Sequence, residues 1–335
     1  MNKNRFGCLI VVLVVLLCFS VLFNIALVSA KSRRIGTSHL LTPRAPEFDE
    51  QTVVNASAST GDKIALIPLR GIISASRSGS LGETMVEDFK IELRQALEDG
   101  KVKAIVLNID SPGGEVTASD EIYSAVKKAR AIKPVVVYMS SLAASGGYYV
   151  SCAGTWLMAN ETTITGSIGV IIETLNYQQL FGKLGLDMVV FKSGQFKDIL
   201  SGARQMTPEE KEYIQNMVMQ TYGKFVGIVA RERGLPEEQL RTGIADGRII
   251  SGRDALGYKL INQLGQIEDA YQKARDLGHA PGAAVIRYQP GFKLGRLFRM
   301  LGQSETSKIE LNIGDGLVPK LESGRLYLLP GFYAP

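Results

Sequence analysis

Histidine is nearly absent from this chain, whose 335 residues hold two, His39 and His279. One falls in a linker-like stretch and the other near the tail, so a Ser-His-Asp triad has no base in the domain core. Cysteine is almost as scarce. Cys8 and Cys18 lie in an apolar N-terminal run, which leaves Cys152 alone in the soluble part and excludes an intrachain disulfide there. Cys152 reads as a small buried apolar residue without chemistry. No P-loop occurs, which argues against ATP coupling within the chain, and no internal repeat is visible. No Asp or Glu precedes Glu47, and the five positives that flank the apolar run, Lys3, Arg5, Lys31, Arg33 and Arg34, equal the formal charge of +5; without these five, the 38 Lys and Arg fall to 33, matching the 33 Asp and Glu. A neutral remainder offers no basic footprint, and nucleic acid is not an expected partner.

Long apolar runs are confined to one place. Residues 7–30 are uncharged and flanked by Lys and Arg, and at about 1.5 Å per residue they can cross a hydrocarbon core of roughly 30 Å. This predicts a single transmembrane anchor in contact with lipid, behind a short cytoplasmic tail (1–6). A cleavable signal ending at Val28-Ser29-Ala30 is the rival, although its apolar region should be shorter. Residues 31–62, rich in Ser, Thr, Pro and Ala, read as a flexible tether. With 45% hydrophobic and 21% charged residues, the remainder can bury a sizeable core. The domain is expected over 63–280, followed by an irregular tail over 281–335.

Within the domain, Lys63–Ile73 is an apolar run whose Pro68 argues for an edge strand or a bulge. Val86, Phe89, Leu93, Ala96 and Leu97 repeat at helical spacing over 85–99, with Gly100 as the stop. A strand over 102–109 leads into the turn Asp110–Gly114, and a helix comes next with Ser119 as a plausible cap. Val135–Val137 open a buried strand that ends at Ser145. Further strands are expected at 156–159, 168–172 and 187–191. Thr207-Pro208-Glu209-Glu210 carries the marks of a helix start, and that helix runs toward Gly234. Strands alternating with helices imply an α/β fold with a parallel sheet, flanking helices, and ligands beyond the carboxyl ends of the strands.

Ser145 sits among Ala143, Ala144, Gly146 and Gly147, where backbone and substrate can approach closely, and it is a candidate nucleophile. A serine that merely caps the next helix fits the same pattern. A serine hydroxyl needs a base. With histidine excluded, lysine is left, and its pKa of about 10.4 must fall toward 7, a cost of roughly 4 to 5 kcal/mol that burial in an apolar wall supplies. Lys197, between aromatic and small residues in Phe191–Lys197, is the first choice and Lys192 the second. Ser124 and Lys127 match an S-x-x-K spacing, but the companion motifs of that set are missing. Gly113, Gly114 and Gly146 can offer backbone amides to an oxyanion. No metal or other cofactor is expected.

These residues resemble a known family, the signal peptide peptidase A (SppA) serine peptidases of the Clp-protease and crotonase superfold. The resemblance covers roughly residues 60–280 and rests on Asp110–Gly114, Ala144–Tyr148, Thr165–Gly169 and Ser193–Lys197, in that order. It implies that Ser145 is the nucleophile, Lys197 the general base, Ser167 the hydroxyl that orients the lysine, and Gly113, Gly114 and Gly146 the oxyanion hole. It implies a short, single-domain form assembled as a dome of identical subunits, an octamer, with serine and lysine meeting at subunit interfaces. It also implies a catalytic domain outside the cytoplasm that cleaves remnant signal peptides and other apolar peptides. The apolar C-terminus, LYLLPGFYAP, is a candidate self-substrate. A crotonase-like acyl-CoA enzyme and a non-catalytic peptide-binding membrane scaffold are the alternatives.

Overall fold

The computed structural model describes residues 48–75, 84–291 and 327–328, together with Leu16, Leu17 and Ser20. The expected anchor over 7–30 lies almost wholly outside the described residues, among which no helix is long and apolar enough to cross a membrane. The chain divides into two compact units, Met1–Ala45 and Pro46–Pro335.

The elements of the second unit run in the order β1 (Phe48–Val54), β2 (Lys63–Arg70), α1 (Met85–Glu98), β3 (Val102–Ser111), β4 (Gly114–Glu115), α2 (Val116–Arg130), β5 (Val135–Ala144), α3 (Gly146–Ser151), β6 (Trp156–Ala159), β7 (Ile164–Gly166), α4 (Gln178–Lys183), a 3-10 turn (Gln195–Asp198), α5 (Pro208–Arg233), α6 (Glu237–Arg241), β8 (Ile249–Ser251), α7 (Gly252–Gly257), β9 (Gln263–Leu264), α8 (Ile267–Leu277), β10 (Ala284–Pro290) and β11 (Tyr327–Leu328). The main sheet has the order β1-β10-β2-β3-β5-β6-β9, with β7 paired to β5 and β8 to β7. All of its pairings are parallel except β1 with β10 and β7 with β8.

The interior strands are apolar without alternation because helices cover both faces. Val135, Val136, Val137 and Met139 are fully buried. On one face Ala270, Tyr271 and Ala274 of α8 pack with Ile64, Val106 and Val136 in one core cluster. α1, α2 and α3 add a second apolar layer, with Phe89, Leu93, Ile122 and Tyr148 buried. α5 starts as its sequence indicates. Thr207 accepts from the Glu210 amide, Glu210 accepts in return from the Thr207 amide, and Gly234 closes the helix in the left-handed region at φ 65°. The second half of α5 is anchored on the domain core through buried Phe225, Val226 and Val229 and through Glu232, which accepts from Tyr123, Lys127 and Arg130 of α2.

Several expectations are corrected. β2 is interior rather than an edge; β10 covers it only from Lys63 to Leu66, so Pro68 faces a side with no ladder partner for its missing N–H. Part of the stretch read as tether is the strand β1, and part of the tail read as irregular is β10, which pairs with it. α2 starts at Val116, so Ser119 lies inside the helix rather than capping it. Residues 187–191 form no strand: they are exposed, with Phe191 95% accessible and no strand paired to them among the described residues. Between 164 and 172 the strand is Ile164–Gly166, and Ile171 makes a single bridge instead.

Candidate active site

The site forms where β3 and β5 end. β5 delivers Ser145 at φ 51° and ψ −113°, a conformation a non-glycine residue rarely holds, and α3 begins at once with Gly146. Such backbone costs on the order of 1–3 kcal/mol and persists only where neighbours impose it. The neighbours are visible: the Ser145 amide donates to Gly166 O at 2.9 Å, and its carbonyl accepts from Tyr149 at 2.8 Å. Ser145 is fully buried, and its Oγ has no hydrogen-bond partner among the described residues. The alternative role of helix cap is therefore not filled, since Ser145 makes no side-chain cap bond.

β7 lies beside β5 with Ala144 opposite Gly166, which sets Ser167 next to the turn that carries Ser145. Ser167 is also buried and left-handed, at φ 49°, and its amide donates to Arg248 O at 2.8 Å. On the other side, Gly113 stands at φ 104° where no side chain fits: a Cβ would meet the Leu328 carbonyl oxygen at 1.9 Å and the Gly146 amide nitrogen at 2.5 Å. Gly113, Gly114, Gly146 and Ser145 thus converge, and Ser167 adjoins them.

β4 has strand neighbours on both sides. Ile73 donates to Gly113 O and accepts from the Glu115 amide, each at 2.8 Å. Opposite, β11 runs antiparallel, pairing Tyr327 with Glu115 and Leu328 with Gly114. Tyr327 exchanges two further bonds with Ile171, at 3.0 and 3.1 Å. Those bonds use both backbone groups of Tyr327, so strand alternation turns those of Leu328 toward Gly113 and Gly114. Extended backbone is therefore held between β4 and Ile171, with a carbonyl at the glycines. Only its place in a β-branched run marked Ile171 in the sequence, and nothing there pointed to this part. Beside Ile171, an open pocket of about 480 Å³ is lined by Val170, Ile172, Met206, Ile214 and Val218.

The lysines lie elsewhere. Lys197, in the 3-10 turn, is exposed rather than walled in, and no hydrogen bond or ion pair engages its ammonium among the described residues. Lys192 is tied to Asp198 at 2.7 Å. The Asp198 carboxyl, bonded first by Arg204 and then by Lys192, is held well below the usual carboxylate range. Lys127 pairs with Glu232 and Ser124 is exposed, which removes that pair from consideration. His279 is exposed in the turn after α8. Cys152 is buried, and desolvation pushes its thiol up to about 12, so it stays neutral and inert.

The mostly parallel sheet that presents this buried serine on a strand-to-helix turn is of the Clp-protease-like α/β class, and the Clp protease family model matches residues 62–164. A second model, peptidase family S49, matches residues 127–280. A candidate signal peptide peptidase SppA of Enterococcus faecium is 33% identical over 86% of this chain and 85% of its own. A candidate protease of Methanocaldococcus jannaschii is 41% identical over 60% of this chain and 64% of its own. The chloroplastic serine protease SPPA of Arabidopsis thaliana is 33% identical over 66% of this chain, which spans 33% of that protein. The chain belongs to peptidase family S49.

Proposed function

We propose that this chain is a membrane-anchored serine endopeptidase that cleaves apolar peptides, remnant signal peptides among them, with a Ser145 and Lys197 dyad. The observation that carries the reading is the seating of Tyr327–Leu328 as a strand between β4 and Ile171, with the Leu328 carbonyl against Gly113. A peptide substrate laid along the same edge brings a scissile carbonyl to Ser145. An acyl-CoA enzyme has no use for such a strand edge, and a pure scaffold has no use for a strained, unpaired serine.

In this mechanism neutral Lys197 takes the Ser145 proton as Oγ attacks the carbonyl carbon. The resulting oxyanion is met by the amides of Gly113, Gly114 and Gly146, aligned before reaction. The lysine then protonates the leaving amine, and water hydrolyses the ester. Ser167, beside Ser145, orients the lysine. Because Lys197 is exposed within one chain, the base is supplied by a neighbouring copy, in an assembly of identical subunits that closes as a ring or dome. The contact surface is the apolar stretch that precedes Lys197 in the chain: Leu175, Leu184, Met188, Val189 and Phe191 are each more than half exposed. Residues 7–30 hold the enzyme to the membrane, with the domain outside the cytoplasm.

Cleavage of an apolar signal-like peptide by detergent-solubilised protein tests the proposal. Wild type cleaves, and both Ser145→Ala and Lys197→Ala fall to background. Full activity in Ser145→Ala refutes the assigned nucleophile. A fluorophosphonate probe labels wild type at Ser145 and leaves Ser145→Ala unlabelled.

A further inference from the structure

Two buried serine hydroxyls without a hydrogen-bond partner among the described residues flank Gly146. Ser145 Oγ is one, and its lack of a partner suits a nucleophile. The other is Ser119, fully buried on α2 and unused by the proposed mechanism. A Cβ built on Gly146 would stand 2.6 Å from Ser119 Oγ and 3.0 Å from both Gly113 Cα and Gly114 N. Ser119 Oγ therefore lies at the junction where two separate chain segments bring their amides together.

We propose that Ser119 is a positioning residue of the oxyanion hole, an inference that rests on the peptidase reading. The amides of Gly114 and Gly146 come after different strands, and no covalent link fixes their separation. The first turns of α2 form the floor beneath both, and the Ser119 hydroxyl is the atom of that floor that meets Gly146. An unpaired buried hydroxyl costs roughly 1–3 kcal/mol, a cost that alanine would avoid if filling space were the only requirement. With Oγ removed, Gly146 can settle toward α2, and its N–H turns away from the point where negative charge develops. Alignment matters most when the carbonyl oxygen carries that charge, so the loss falls on the transition state rather than on peptide binding.

The test compares wild type, Ser119→Ala and Ser119→Cys in peptide cleavage, in inhibition by a peptide aldehyde that forms a hemiacetal with Ser145, and in thermal unfolding. Peptide binding is measured separately in the Ser145→Ala background. Ser119→Ala should lose about 10- to 100-fold in kcat with KM unchanged within about twofold. Aldehyde affinity should fall in parallel, peptide binding in the Ser145→Ala background should be retained, and Ser119→Cys should recover part of the loss. Unchanged kcat and aldehyde affinity in Ser119→Ala overturn the proposal. So does a joint fall of kcat, peptide affinity and unfolding temperature, which marks a structural role. Wild type that neither cleaves nor binds the aldehyde refutes the peptidase reading itself and takes this inference with it. An inactive Ser145→Ala beside an unaffected Ser119→Ala refutes this inference alone.

Discussion

At the scale of single residues, the site depends on positions where nothing larger fits. Gly113 combines a φ of 104° with a would-be Cβ 2.5 Å from the Gly146 amide. Gly113→Ala should therefore displace that amide and lower kcat by roughly 10²–10³-fold, the loss typical of a missing oxyanion donor, while circular dichroism shows the fold retained. A loss under about twofold would remove Gly113 from the hole. A different residue sets the pH response of stability. Glu92 of α1 is buried four residues after buried Asp88, and desolvation first, then the Asp88 charge, push its carboxyl up to about 8. The folded value lies above the unfolded one, so the fold prefers neutral Glu92. No penalty applies below about pH 4, and stability falls as pH rises from there through 8, by on the order of 4 kcal/mol. Glu92→Gln should be more stable than wild type at pH 8.5 and nearly equal to it at pH 4.5 in urea unfolding. An equal difference at both pH values would contradict this.

At the scale of elements, β11 occupies the groove the substrate is proposed to use, so it competes with added peptide. Removing residues 327–335 should tighten apparent peptide affinity roughly tenfold, because the free groove becomes the main state. No change in KM would show that the strand does not compete. Intact mass should also reveal loss of the residues after Leu328 in active enzyme but not in Ser145→Ala, if the tail is a self-substrate. The capping box is a simpler element: Thr207→Ala should cost about 1 kcal/mol in urea unfolding. The elements legible in the sequence are those set by local physics. Val135–Ala144, Trp156–Ala159 and the Thr207 cap are written in branching, burial and capping chemistry, and so is the convergence of Ser145 with Gly113, Gly114 and Gly146 at strand ends. β1, β10 and β11 were not legible, because they are defined by partners distant in the chain rather than by a local apolar pattern. Residues 187–191 misled for the opposite reason: β-branched composition suggests a strand, but among the described residues nothing pairs with it.

At the scale of the whole molecule, Ser145 is buried while Lys197 is exposed, and in the proposed assembly a contact between copies joins them. A head-to-tail contact uses two different surfaces of the same chain and closes into a ring. Apolar exposure around Leu175 to Phe191 then has a partner, and the lysine acquires its apolar wall only on assembly. Phe191→Asp should weaken assembly in sedimentation and lower activity in proportion. A fully active monomer would refute the interface. The most direct measurement mixes two inactive proteins, Ser145→Ala and Lys197→Ala, unfolded and reassembled together, and tracks peptide cleavage. Random assembly pairs an intact serine with an intact lysine at about a quarter of the contacts, so the mixture should recover about a quarter of wild-type activity. A mixture that stays at background, although both variants assemble like wild type and exchange subunits, would contradict the shared dyad.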